Sequence, residues 1–391
     1  METRSIVETD SSDCFTTMTD LPNIPLVDLR ANYARVKDEI SKEWEEVLAN
    51  TAYIGGKQVS KFEEHFADFI GVKHCVGLNS GTDALFLALK FLSIGPGDEV
   101  ITQANTFIAT CLGISNNGAT VVLIDADPAT GQMCVEEIEA ALTPNTKALL
   151  PVHLYGHAAN MGQIMEIAKK HSLRVIEDAS QAHGALFEGK RVGSFGDVSC
   201  FSMYPGKNLG AYGDGGALCT NDDELATRVR WWQSWGAKKK YHHEIKGGNS
   251  RLDGLQAAVL NVKLKYIDDW NANRRNIADR YTELIRALHI PDLQVPSVPT
   301  GSTSVWHLYI VRTTKRDELL AHLNKNGIGA GIHYPIAIPE LGAYEELKHY
   351  RSKCPKSISA SKEMISLPMF PELTEEQQIR IVDSIKDFFS N

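Results

Sequence analysis

The chain has 391 residues, 43% of them hydrophobic and 23% charged, which is the composition of an ordinary folded protein large enough for two domains. Its formal net charge of −9 disfavours nucleic acid or an anionic membrane as the main partner, so a nucleotide ligand would need a local basic pocket. No apolar run approaches the ~18 residues of a membrane span. Seven cysteines, odd in number and without a C-x-x-C pair, favour a reducing cytoplasmic compartment and argue against a zinc site.

Residues 1–20 are rich in Ser, Thr and Asp, lack a signal-peptide core and read as a flexible tail. An amphipathic stretch at 36–48 follows, then a turn at Tyr53-Ile-Gly-Gly56. Apolar residues at Val59, Phe62, Phe66 and Phe69 predict a helix. The run from Lys73 reads as a strand that feeds Asn79-Ser80-Gly81-Thr82 and then a helix rich in Leu and Ala. The start of such a helix offers free N–H groups and a positive dipole end beside two hydroxyls. It is a phosphate seat, or simply a capped helix.

Strands are predicted at 99–103, 120–125 and 148–154, then a helix over 161–170 and a strand over 173–176 that runs into Asp178. Alternation on this scale implies right-handed βαβ units and a mostly parallel sheet covered on both faces. Ligands in such folds lie at the C-terminal strand ends, where Ser80, Phe107 and Asp178 converge.

The stretch 198–220 holds the centre of the chemistry. Apolar runs at 198–204 and 217–220 flank a loop with Gly206, Gly210, Gly213, Gly215 and Gly216 and a single lysine, Lys207. Glycine lets a backbone approach a ligand, and lysine condenses with aldehydes. Taken singly, Lys207 reads as a surface charge and Asp178 as a turn or cap. Together they suit pyridoxal phosphate, the lysine for its aldehyde carbon and the carboxylate for its pyridinium nitrogen.

Asn221-Asp-Asp-Glu224 is a capping box that predicts a helix through Trp235. Beyond it come an amphipathic helix over 266–288, a loop at 291–304, a strand at 306–313, a helix at 317–326, a strand end at 327–334 and a last helix at 374–388. The expected organisation is the tail, a large cofactor-binding domain over 21–265 and a small α+β domain over 266–391.

Seven motifs then occur in order: Asn79-Ser-Gly-Thr-Asp-Ala-Leu85, Asn105-Thr-Phe-Ile-Ala-Thr110, Val152-His-Leu-Tyr-Gly-His157, Glu177-Asp-Ala-Ser-Gln-Ala-His-Gly-Ala185, Phe201-Ser-Met-Tyr-Pro-Gly-Lys-Asn-Leu-Gly210, Gly248-Asn-Ser-Arg-Leu-Asp-Gly-Leu-Gln-Ala-Ala258 and Gly331-Ile-His-Tyr-Pro335. From about Ile24 to its end the chain resembles the DegT/DnrJ/EryC1/StrS sugar aminotransferases. Met203 stands where Phe is more usual, and Ser180 replaces a common Ala.

The resemblance implies an aspartate-aminotransferase-like (fold type I) α/β fold, with pyridoxal phosphate as cofactor and pyridoxamine phosphate as its other form. It implies that Lys207 forms the Schiff base and shuttles the proton, that Asp178 pairs with the ring nitrogen, that Gln181 reaches the ring hydroxyl and that Phe107 stacks on the ring. Ser80, Gly81, Thr82 and Ser202 would hold the phosphate, with Asn249 supplied by the other subunit of a homodimer. Tyr204, Tyr241, His333 and Tyr334 would line the sugar pocket, and Arg251 would take the carboxylate of L-glutamate, which leaves as 2-oxoglutarate. His183 receives no role, and no metal is expected.

Within the family the chain looks most like the branch that aminates C3 of dTDP-linked 3-keto-6-deoxyhexoses, for glycan or secondary-metabolite biosynthesis. Alternatives are amination at C4, a sugar dehydratase of the same fold, and a non-catalytic sensor. A dehydratase has histidine in place of the lysine, and a sensor would lack part of the catalytic set.

Overall fold

The structure is a computed structural model that describes residues 23–390; the tail expected at 1–20 lies outside them. Five strands, β1 (His74–Leu78), β2 (Glu99–Gln103), β3 (Thr120–Ile124), β4 (Thr146–Leu150) and β5 (Arg174–Asp178), precede a small hairpin of β6 (Leu186–Phe187) and β7 (Lys190–Arg191). After the hairpin come β8 (Val198–Ser202) and β9 (Gly216–Thr220). The main sheet has seven strands in the order β1-β9-β8-β5-β4-β2-β3, and only β9 runs against the rest.

Consecutive strand residues go to opposite faces. Val100, Val121 and Leu150 pack in one core, while their neighbours Ile101, Val122 and Leu149 pack in another. Covering both faces takes the helices α1 (Leu29–Ala49), α2 (Gly56–Ile70), α3 (Gly81–Phe91), α4 (Ile108–Ser115), the short α5 (Ile138–Ala141), α6 (Met161–His171), α7 (Asp223–Trp232) and α8 (Gly254–Leu264). The near-continuous burial of the parallel strands follows from that double cover.

A long helix, α9 (Ile267–Arg286), leads to a further core. There Tyr309–Arg312 pairs antiparallel with Met364–Leu367, and Arg316–Lys325 and Glu375–Ser390 pack alongside. Ile24, from the start of the described chain, joins this core and bridges to Ile328.

Several elements differ from expectation. Sequence periodicity places one helix at 266–288, but α8 stands just before α9. Residues 257–263 of α8 are all buried, so no polar stripe betrays the helix. The helix α7 ends at Trp232, three residues early, and its cap is Asp222, which accepts from the N–H groups of Glu224 and Leu225. The predicted strand end at 327–334 reduces to two isolated bridges, Ile328 to Ile24 and Gly331 to Ser366. The helix Pro355–Glu363 and the strand Met364–Leu367 carry no strong local signal.

Candidate active site

The cradle at the start of α3 is built from close backbone contacts. Ser80 caps the helix by accepting from the Asp83 N–H at 3.1 Å. A Cβ on Gly216 of β9 would lie 2.2 Å from the Ser80 carbonyl carbon, so only glycine lets this turn rest on the sheet. A Cβ on Gly81 would likewise sit 2.8 Å from Cβ of Ser202. The start of α3 therefore packs directly against Ser202, and the free N–H groups of a helix start favour an anion.

The lysine loop is held at its base and in its middle. The Ala211 N–H donates to the Met203 carbonyl, the Met203 N–H to Gly215, and the Lys207 N–H to Tyr204. Asn208, next to the lysine, donates through Nδ2 to Asn271 Oδ1 and to the Val305 carbonyl, both at 2.9 Å, and pairs with His307 Nδ1 at 3.1 Å. Desolvation holds the Lys207 amine down to about 8, against the opposing pull of Asp178.

Asp178 sits at the end of β5 and is 4% exposed. Its Oδ2 accepts from Thr110 Oγ1 at 2.8 Å, and its Oδ1 accepts from the Ser180 N–H at 3.2 Å. The adjacent Glu177 serves the scaffold. It is fully buried and accepts from the N–H groups of Gly193, Phe195 and Gly196, and it pairs with His153 Nε2.

Opposite these groups stand aromatic and amide side chains. Gln181 accepts from the Tyr155 N–H at 2.7 Å and donates to the Tyr334 hydroxyl at 3.0 Å. Phe107 and Tyr334 meet with ring centroids 5.1 Å apart. His333 pairs through Nδ1 with Ser366, and burial together with Lys207 keeps it below the usual histidine range. His183 is buried against Phe201 and held down to about 3, by burial first and then Lys207, so it stays neutral. One cavity of about 530 Å³ is lined by Lys207, Asp178, the α3 turn, Phe107, Gln181, His333 and Tyr334, while His183 lies outside it.

A profile of the DegT/DnrJ/EryC1/StrS aminotransferase family matches residues 34–386. The chain belongs to that family. This aminotransferase is 42% identical over 369 residues (94% of its length, 97% of the relative's) to the dTDP-3-amino-3,4,6-trideoxy-alpha-D-glucose transaminase of Streptomyces venezuelae. It is 45% identical over 365 residues (93% and 99%) to the dTDP-3-amino-3,6-dideoxy-alpha-D-galactopyranose transaminase of Aneurinibacillus thermoaerophilus. NtdA of Bacillus subtilis with bound cofactor PMP superposes with a TM-score of 0.87, at 30% identity, over 95% of this chain and 86% of that one.

The fold is that of the pyridoxal-phosphate-dependent aminotransferases, as the resemblance implied. The enzymes of this family use pyridoxal phosphate, and the aminotransferase's own residues fit it. The cradle leaves no room for a Cβ at Gly81, the amine of Lys207 is kept partly neutral, and an aspartate closes the same cavity.

Of the residues singled out from sequence, Ser80, Gly81, Thr82, Phe107, Asp178, Gln181, Ser202, Tyr204, Lys207, His333 and Tyr334 line this one cavity. Tyr241, Asn249 and Arg251 do not. Tyr241 is 81% exposed beyond α7, Asn249 bridges to Ser234, and the Arg251 guanidinium lies over the Trp235 ring at 4.3 Å. Sequence reasoning missed Thr106, Thr110 and His307. The two threonines, four apart around Phe107, were the available signal for a shared helical face. His307 gave none, since its link to Asn208 spans 99 residues. Among the described residues, no helix is long and apolar enough to cross a membrane and no three metal-ligating side chains group together.

Proposed function

We propose that this aminotransferase moves an amino group from L-glutamate to C3 of a dTDP-linked 3-keto-6-deoxyhexose, giving a 3-amino-3,6-dideoxy sugar. The observation that carries the chemistry is the single cavity in which Lys207 and Asp178 meet the α3 cradle. The choice of C3 and of dTDP rests on the names of the two transaminases above, which share over 90% of the chain's length.

Pyridoxal phosphate supplies the electron sink that makes a Cα proton removable. The chain's residues do the rest. Gly81, Thr82 and Ser202 hold the phosphate, Asp178 keeps a proton on the ring nitrogen, and Gln181 reaches the ring hydroxyl. The Lys207 amine, poised near neutrality, takes the proton from Cα of the donor and returns it to the sugar carbon. Phe107 covers the ring, and Tyr204, His333 and Tyr334 offer polar aromatic surface to the sugar.

Tyr241, Asn249 and Arg251 act in the cavity of a second copy, so the working unit is a homodimer with shared sites. Tyr241, Trp235, Tyr53 and Ile54 are large apolar side chains left exposed in the single chain, which supports a surface covered by a second copy. Arg251 offers a fork for the glutamate carboxylate.

The test is a panel of dTDP- and UDP-linked 3-keto and 4-keto sugars with L-glutamate as donor. The reading predicts the highest kcat/KM for a dTDP-linked 3-keto-6-deoxy sugar. A 4-keto or UDP-linked substrate turned over faster would reassign carbon or nucleotide, and no transfer to any of them would end the proposal.

A further inference from the structure

Behind the lysine loop lies a buried cation that the chemistry above leaves unused. Lys263, on α8, is 2% exposed, and its Nζ donates to the Gly210 carbonyl at 2.8 Å. The same ammonium stands 4.3 Å from the centre of the Tyr212 ring. Its other surroundings form a chamber of about 20 Å³ shared with the loop residues Pro205, Gly206, Lys207 and Gly210. Arg274 and Glu372 also face that chamber. Glu372 is held above the usual carboxylate range by burial, with Arg35 3.8 Å away.

Burying an ammonium costs several kcal/mol unless its surroundings compensate. A methionine, one atom shorter, would fill most of this space without that cost. What the amine adds is a fixed grip on one carbonyl: burial holds it down to about 8 against the pull of Glu372, and charged or neutral it keeps an N–H to donate. Gly210 is itself tightly placed: a Cβ there would lie 2.3 Å from the Pro205 carbonyl oxygen, at the other end of the turn. Holding Gly210 therefore holds Pro205 and the lysine between them.

We propose that Lys263 is a positioning residue for Lys207, its ammonium pinning the Gly210 carbonyl so that the loop presents the Lys207 amine to the cavity. The importance of this clamp for the reaction rests on the reading of Lys207 given above. Asn208 fixes the loop from the side of α9, and Lys263 fixes it from α8. The dry setting that keeps the Lys207 amine partly neutral needs both.

The test uses the cofactor-free protein. Acetic anhydride labelling from roughly pH 6 to 11, read at Lys207 by mass spectrometry, gives the midpoint of that amine. Lys263→Met, and Lys263→Gln with an amide one bond too short to reach Gly210, are both expected to raise the midpoint by about one unit. That makes Lys207 about tenfold less reactive near neutral pH. Val259→Ala opens a cavity one turn away on the same face of α8 while leaving the Lys263 side chain in place, and is expected to leave the midpoint where it is, which separates positioning from general loosening.

Should Lys263→Met fail to fold, the glutamine variant decides. Coincident midpoints in wild type and the folded Lys263 variants would overturn the proposal, as would an equal shift in Val259→Ala. Attachment of the cofactor to Lys207 is mapped separately. A failure there would remove the proposed function and leave this loop measurement intact.

Discussion

Thr110 Oγ1 donates a 2.8 Å hydrogen bond to Oδ2 of Asp178, a residue 68 positions further along the chain. A hydroxyl has one proton to give, so Thr106 Oγ1, 2.7 Å from Thr110 Oγ1, must in turn donate to Thr110. The carboxylate thus ends a two-hydroxyl chain, with both threonines buried. Thr110→Val keeps the shape and removes the donor. Leaving that oxygen short of a bond costs ~1–3 kcal/mol. The rate of the half-reaction with L-glutamate, the proposed donor, is expected to fall about tenfold, as read by stopped-flow absorbance.

Gly81 is a position that tolerates no side chain. Alanine would press its Cβ to 2.8 Å from Ser202, and overpacking of that kind costs ~1–3 kcal/mol. Gly81→Ala is expected to bind pyridoxal phosphate roughly ten- to a hundredfold more weakly while folding cooperatively, measured by equilibrium dialysis.

The pH dependence of cofactor capture follows from Lys207. Only the neutral amine attacks an aldehyde, and burial holds this amine down to about 8. Below that value the protonated form dominates, so the capture rate should rise about tenfold per pH unit and then level off near pH 8. A rise that continues to the pH of an ordinary lysine would show that the amine is not desolvated.

The proposed sharing of sites between two copies allows a sharp complementation test. Lys207→Ala and Arg251→Ala chains, each inactive alone, are mixed, dissociated and reassociated. Random pairing puts one intact site in half of the dimers, so about a quarter of wild-type activity should return. No recovery from demonstrably mixed dimers would place Arg251 in its own chain's cavity or outside the site.

Much of this was legible in the sequence, because buried parallel strands announce themselves as apolar runs and the lysine and aspartate carry distinctive chemistry. What escaped had non-local causes. The helix α8 is buried on every side, so its pattern lacks a polar stripe. The strand Met364–Leu367 exists only through its pairing with Tyr309–Arg312, more than fifty residues earlier. Thr110 and His307 matter because of partners far along the chain. The placement of Tyr241, Asn249 and Arg251 outside the cavity is a fact of the folded single chain, and no local pattern encodes it.

The central claim is most directly tested by loading the protein with pyridoxal phosphate, reducing it with borohydride and mapping the modified peptide. One cofactor per chain on Lys207, and none retained by Lys207→Ala, is the predicted result. Cofactor fixed to another lysine, or to none, would contradict it.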